Sequence, residues 1–379
     1  MKIVLSGVET NNKGAELMLY AILQELERKW PEAEVYVSPW AVSQGLDYVK
    51  TSLKLRYWPI SSIIKKTRIN GILNHLHLSP LTDTKAVKAD YFIDGSGFFF
   101  SDQCKLWGTT PERWENLLKY QHKHGAKIIF LPQAFGPIEL DMTKRAITSI
   151  GKYASAIMPR EEISYQYLEK SGLVDMNKVH LFPDFTALVN GKFPSKYDYL
   201  KNGICIIPNL NMIEKGIMSY EDYIHLLTVI IEYGKKSGYA VYLLNHEGEG
   251  DEKLAFECKE SVKCGIEVVT GLNALEVKGL IASSYLVITS RFHGLASSLN
   301  SCVPTLATSW SHKYGELFKD YGLSGYVLPT DNLNKALDDV KKLLDIEENK
   351  RIRMHLESVV PQIKVKSQQM WKMVWNLKN

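Results

Sequence analysis

What most constrains the fold of this chain is a rhythm. Apolar runs of three to six residues alternate with longer stretches of helical periodicity, and the alternation restarts once. In the first half, strands are expected at Ile3 to Leu5, Glu34 to Ser38, Tyr91 to Asp94, Lys127 to Leu131 and Ala156 to Pro159. Helices are expected at Gly14 to Trp30, Pro111 to His124, Met142 to Tyr153 and Ile163 to Ser171, the last stopped by Gly172. After a polar stretch from Asn190 to Asn202, the pattern resumes. Strands follow at Gly203 to Ile207, Ala240 to Asn245, Glu267 to Val269, Tyr285 to Thr289 and Thr305 to Ala307, with helices at Tyr220 to Ser237 and Asp251 to Cys264. Short uninterrupted apolar strands separated by helices predict parallel sheets covered on both faces. A chain of 379 residues suits two such domains. The expectation is α/β: two doubly wound, Rossmann-like domains, residues 1–190 and 203–360, facing a cleft. A last helix over 361–379, with Met370, Trp371, Val374 and Trp375 on one side, is expected to return to the first domain.

Composition narrows the function classes. The net charge is only +4, from 46 basic and 42 acidic residues, without the concentrated basic footprint of a nucleic-acid binder. The five cysteines (Cys104, Cys205, Cys258, Cys264, Cys302) form no CxxC pair and fit reduced thiols better than a disulfide frame or zinc site. The opening apolar run ends at Gly7, too short for a leader, and no stretch approaches the roughly 18 apolar residues of a membrane span. A cytoplasmic protein is expected. Lys54 to Pro80 breaks the rhythm, with Lys54, Arg56, Lys65, Lys66 and Arg68 interleaved with Tyr57, Trp58, Ile60, Ile63 and Ile64. It reads as an insertion packed on the first domain or as a surface that meets a membrane.

Ligands of doubly wound sheets bind beyond the carboxyl ends of the strands, so the residues just after strands hold the candidates. The first turn contains Asn12-Lys13-Gly14 ahead of a helix whose N-terminal N–H groups favour anions. The second is Asp94-Gly95-Ser96-Gly97, followed by Asp102; either aspartate could orient a hydroxyl or act as a base, and Asp94 could equally form the turn. Gln133 follows the next strand. Arg160 ends another, where a guanidinium could fork onto a carboxylate or phosphate, or pair with Glu161 or Glu162. His246 lies in a polar loop, Asn245 to Asp251. The most telling block is Ser290-Arg291-Phe292-His293-Gly294: a strand runs into an arginine and a histidine two apart, then a small-residue helix. That spacing makes a compact anion site with a titratable partner.

Together these residues resemble the polysaccharide pyruvyl transferase family. The likeness rests, in order, on Asn12-Lys13-Gly14, on Gly95-Ser96-Gly97 with Asp102, and on the Gln133 to Pro137 turn. It continues with Arg160 ahead of Ser164 and Tyr165, with Pro183-Asp184, and with Ser290 to Gly294. The chain departs from the family pattern at Ser96, at Glu161 where Asp is usual, and at Ala15-Glu16 where Asp-Glu is frequent.

The resemblance implies a GT-B-like fold, with the donor phosphoenolpyruvate on the second domain and a sugar acceptor on the first. It implies transfer of a pyruvyl group to a polysaccharide or lipid-linked saccharide, bridging two hydroxyls of one sugar as a ketal and releasing phosphate. On this reading Arg291, Arg160, Lys13, Ser290 and Gly294 bind the donor. His293 is the acid–base or a phosphate ligand, and Asp94 or Asp102 activates a hydroxyl. Asn12, Gly95, Gln133 and His246 line the acceptor side. The chemistry needs no metal or cofactor, and peripheral contact with the inner membrane surface is expected. Two alternatives stay open: a glycosyltransferase using a nucleotide-sugar donor, and a glycan-binding protein without turnover. The absence of any Asp or Glu between Glu276 and Glu316, where a ribose-binding glutamate would fall, weighs against the first.

Overall fold

The structure, a computed structural model, describes residues 1–58 and 87–377. It divides into two compact units. The first comprises Met1–Thr10, Met18–Phe185 and Ser367–Asn379; the second comprises Asn11–Leu17 and Thr186–Lys366.

The first unit holds a six-stranded parallel sheet of β1 (Lys2–Ser6), β2 (Glu34–Val37), β3 (Lys54–Tyr57), β4 (Tyr91–Asp94), β5 (Lys127–Gln133) and β6 (Ala156–Pro159), in the order β3-β2-β1-β4-β5-β6. Helices α1 (Lys13–Lys29), α2 (Pro111–Lys123), α3 (Asp141–Tyr153) and α4 (Glu162–Ser171) connect the strands. All four residues of β4 and of β6 are buried, as apolar runs covered on both faces require. The core gathers Phe92, Phe100, Trp114, Phe130 and Phe135. Strand order reverses between β1 and β4, so Ser6 and Asp94 end side by side at the switch point.

The second unit holds a five-stranded parallel sheet of β7 (Ile204–Ile207), β8 (Val241–Leu244), β9 (Glu267–Val269), β10 (Leu286–Thr289) and β11 (Thr305–Ala307), in the order β11-β10-β7-β8-β9. Its helices are α5 (Asn211–Glu214), α6 (Tyr220–Lys236), α7 (Gly248–Ser261), α8 (Ala274–Ala282), α9 (Phe292–Asn300), α10 (Lys313–Asp320), α11 (Leu333–Leu344) and the first part of α12 (Ile346–Asn376). Here the switch point lies between β7 and β10, so Asn209 and the Ser290–His293 segment emerge together.

Two expectations change. The stretch 190–202 is packed, not a linker: Lys192 N–H donates to the Leu275 carbonyl at 2.8 Å, and Gly191 lies so close to Gly279 that a Cβ would sit 2.4 Å from its nitrogen. The boundary between units falls instead at Phe185/Thr186. Lys54 to Tyr57, read as the start of an insertion, is the edge strand paired with β2; the basic-apolar run from Pro59 to Pro80 lies outside the described residues. The last ten residues of α12 belong to the first unit, where Trp375 packs against Trp30 and Tyr91, and Trp371 meets Phe185 edge-on. No described helix is long and apolar enough to cross a membrane.

Candidate active site

The second unit brings together five residues that the sequence singled out: Asn12, Lys13, His246, Arg291 and His293. The segment Asn11–Leu17 belongs to this unit although β1 does not. Asn12 makes a backbone bridge with Glu247, and Lys13 N–H donates to the His246 carbonyl at 3.3 Å. The Asn12 side chain accepts from the N–H groups of Gly14 (2.8 Å) and Ala15 (3.2 Å). It therefore caps α1.

Gly14 explains the glycine in the first turn. A Cβ there would stand 2.1 Å from His293 Nδ1 and 2.6 Å from its Cγ, so only glycine lets the imidazole lie against this helix. Lys13 Nζ pairs with Glu16 Oε2 at 2.7 Å, and the other oxygen of the fully buried Glu16 accepts from the Ala274 N–H at 3.2 Å. A carboxylate is thus seated at the positive end of α8, and it ties the lysine to that helix. This finds a function for the Glu16 that stands in Ala15-Glu16.

Arg291 is held differently from the open clamp that its sequence position suggested. Its Nε donates to Asp251 Oδ2 at 2.7 Å and its Nη2 to Asp251 Oδ1 at 2.6 Å, the two-point geometry of a guanidinium and a carboxylate. Its Nη1 bonds to Glu247 Oε2. Burial, joined by the nearby charge of Glu214, pushes the Asp251 carboxyl up, and burial pushes the Arg291 guanidinium down; the two-point bridge opposes both shifts and favours the charged pair. The two acids differ in exposure. Asp251 is 1% exposed at its side chain and Glu247 30%, so Asp251 is a fixed anchor and Glu247 an exchangeable partner.

His246 is buried beside this cluster. Burial, then the nearby charges of Arg291, His293 and Lys13, hold its ring well below the ordinary value of 6.5. It is a neutral imidazole, and its Nδ1 makes no hydrogen bond among the described residues. α9 begins directly after Arg291, whose own side chain makes no capping hydrogen bond, and the positive end of a helix favours an anion. Ser290 and Gly294, expected on the donor side, are both tightly packed. Ser290 is buried with its hydroxyl between Tyr223 Oη and Thr308 Oγ1, and a Cβ on Gly294 would meet Thr289 Oγ1 at 2.5 Å.

The remaining candidates lie in the first unit. Asp94 has no exposed surface; it accepts from Ser96 N–H (3.2 Å), Ser96 Oγ (3.0 Å) and Gln133 Nε2 (3.1 Å). Burial pushes its carboxyl up, against these hydrogen bonds. Gly95 packs on Val8 and Ile22. These contacts make Asp94, Gly95 and Gln133 the frame of a turn. Asp102 accepts the N–H groups of Glu139 (2.6 Å) and Leu140 (3.2 Å), fastening the loop before α3. Arg160 is buried, with Glu161 at 3.5 Å and Asp184 at 3.6 Å; the buried partners replace the open fork expected of it.

Several residues escaped the sequence reading. Glu247 stands just before α7 and Asp251 in its first turn, but nothing in a one-dimensional pattern pairs them with Arg291, 44 and 40 residues away. Lys313 is buried with its ammonium 4.1 Å from the Trp310 ring centroid and 5.7 Å from that of Phe292, next to His293. Among the described residues there is no group of three or more His, Cys, Asp or Glu suited to a metal ion.

A family model described as polysaccharide pyruvyl transferase matches residues 12–312. No curated protein gives a significant match. Among solved structures, a Listeria monocytogenes protein assigned as a UDP-N-acetylglucosamine 2-epimerase is similar over 98% of this chain and 95% of its own, at 12% identity and a TM-score of 0.63. The UDP-GlcNAc 2-epimerase of Neisseria meningitidis, bound to UDP-GlcNAc, covers 99% of this chain and 100% of its own, at 9% identity and 0.60. A glycosyltransferase of Rickettsia africae covers 100% and 99%, at 11% identity and 0.56. At these identities the likeness concerns the fold, which is GT-B-like with two Rossmann-like domains.

Proposed function

The chain belongs to the polysaccharide pyruvyl transferase family, and from that premise we propose that it moves the pyruvyl group of phosphoenolpyruvate onto two hydroxyls of one sugar. The observation that carries the donor assignment is the convergence of Lys13, Arg291, His246 and His293 at the switch point of the second sheet. Phosphoenolpyruvate offers a carboxylate and a phosphate. The first N–H groups of α9, with Lys13, suit the phosphate. The Nη1 arm of Arg291 suits the carboxylate, which would displace the partly exposed Glu247 while Asp251 keeps the guanidinium in place.

The chemistry balances without an oxidant. A proton adds to the methylene carbon of phosphoenolpyruvate, making a methyl group, as one sugar hydroxyl adds to the central carbon and gives up its proton. The bond from that carbon to the phosphate oxygen then breaks, releasing inorganic phosphate. The second hydroxyl attacks the same carbon, loses its proton and closes the ketal. One group must give and take protons, and His293, held against Gly14, is our choice for it. His246, neutral and buried beside it, offers a ring nitrogen to a sugar hydroxyl. A lipid-linked acceptor would bring the enzyme to a membrane surface.

The test is phosphate release from phosphoenolpyruvate by the purified protein, with and without a panel of free and lipid-linked galactosides and mannosides. Release that depends on an acceptor and is lost in His293→Gln, with the fold intact, supports the assignment. Calorimetry that shows binding of a nucleotide sugar and none of phosphoenolpyruvate would replace it with a glycosyltransferase.

A further inference from the structure

We propose that Asn209, Tyr223 and Tyr314 are positioning residues: they lock the peptide between Ser290 and Arg291 and, through it, the place of His293. The inference rests on the reading of His293 as the acid–base group.

The chain leaves β10 at Thr289, and the next two residues decide where α9 begins. Every polar atom of Ser290 is bonded. Its N–H donates to the Ile207 carbonyl at 2.9 Å. Its carbonyl accepts from Asn209 Nδ2 at 2.7 Å and from Tyr314 Oη at 2.7 Å. Its hydroxyl lies 2.6 Å from Tyr223 Oη and is also bonded to Thr308 Oγ1. The next peptide is held as well, since Arg291 N–H donates to Thr289 Oγ1 at 3.0 Å and the same hydroxyl donates to the Arg291 carbonyl at 3.2 Å. Asn209 is fixed in turn. Its N–H donates to Tyr223 Oη at 3.1 Å, and its Oδ1 accepts from Asn211 N–H at 2.9 Å.

This network spans the switch point, joining the end of β7 to the end of β10, and it is fully interior: Asn209, Tyr223, Tyr314 and Ser290 are all buried. Burial pushes the Tyr223 and Tyr314 phenols up, so both are neutral hydrogen-bond formers. Apolar side chains would close the same space with no polar group to satisfy. What the network supplies is geometry. His293 stands in the first turn of α9, two residues beyond Arg291, and any tilt of the Ser290–Arg291 peptide moves its ring against Gly14. Groups that must be held to a fraction of an ångström are supported in this way by a bonded second layer.

The doubled donors on the Ser290 carbonyl make the idea testable. Removing either one leaves the carbonyl bonded, so Tyr314→Phe and Asn209→Ala are expected to fold. Three readouts apply: the melting temperature, the His293 Cε1–H resonance assigned with His293→Gln, and acceptor-dependent phosphate release. In each single variant the melting temperature is expected to stay within a few degrees of wild type. The His293 resonance shifts or broadens, and kcat falls roughly tenfold or more with the KM for phosphoenolpyruvate within about twofold. An unchanged His293 resonance in both variants overturns the proposal, whatever the activity. So does a loss of turnover that only follows the folded fraction. Failure of the wild-type protein to release phosphate would overturn the proposed reaction and not the positioning, which the resonance decides alone.

Discussion

Gly14→Ala tests the site at its tightest point. In an ordinary helix this change is favourable, by roughly 0.5–1 kcal/mol, because glycine loses more backbone freedom on folding than alanine. Here the new methyl carbon would stand 2.1 Å from His293 Nδ1, while ordinary contact begins at 3.4 Å, so the ring must retreat by about 1.3 Å. It cannot do so by a small rotation, since Cγ and Cε1 are also within 3.0 Å of the added carbon. A displacement of about 1 Å in a reacting group is enough to cost on the order of 100-fold in rate. Stability and turnover should therefore part company. The expected variant melts within a few degrees of wild type and loses roughly 100-fold in kcat for acceptor-dependent phosphate release. The assay is coupled phosphate detection at saturating phosphoenolpyruvate, beside a thermal melt. Near-normal kcat in a folded Gly14→Ala variant would refute the assignment of His293 as the reacting group.

Three further outcomes follow from the geometry. Glu247→Gln removes the exchangeable partner of Arg291; a partly exposed ion pair is worth up to about 1 kcal/mol, so calorimetry should show phosphoenolpyruvate binding about fivefold tighter, and weaker binding would remove Arg291 from the donor site. Asp94→Asn should keep turnover within about threefold of wild type, because a fully buried turn former touches no substrate, and a loss beyond roughly 100-fold in a folded variant would restore it as a base. The third outcome concerns pH. His246 takes a proton near 6.5 in the unfolded chain but only at much lower pH when folded, so the unfolded state binds more protons in between. Its contribution to stability is full above pH 6.5 and is lost as the pH falls below it, down through the folded value. Urea melts between pH 5 and 7.5 should show that slope, and His246→Gln should flatten it; equal slopes in the two proteins would contradict the buried neutral ring.

The fold was legible where burial on both faces writes a continuous apolar run, as at Tyr91 to Asp94 or Leu286 to Thr289. It was less legible at edges. Lys54 to Tyr57 alternates charged and apolar residues as an edge strand does, and that pattern resembles a surface insertion. The 190–202 stretch reads as a linker by composition, yet its glycine packs backbone to backbone on Gly279, a contact no local pattern announces. In the site, Ser290 to Gly294 and Lys13-Gly14 stood out because strand ends and glycines have few reasons to coincide. The partners of those residues did not. The acids that hold Arg291 and the tyrosines beneath Ser290 are ordinary residues in ordinary positions, and only the meeting of distant segments gives them roles. Asp102 and Asn12 show the converse: their residue types suggested chemistry, while their hydrogen bonds go to backbone N–H groups.

Seven residues near the start of the chain, Asn11–Leu17, belong to the second unit, while the strand before them and the chain from Met18 belong to the first. The protein therefore cannot be dissected by one scission into two expressible halves. A fragment cut at Phe185/Thr186 would leave the second sheet without Lys13, without the glycine that seats His293 and without the Glu16 that engages Ala274. Complementation from two plasmids or a minimal donor-binding fragment for screening would each have to carry that heptapeptide along, either grafted onto the second fragment or duplicated.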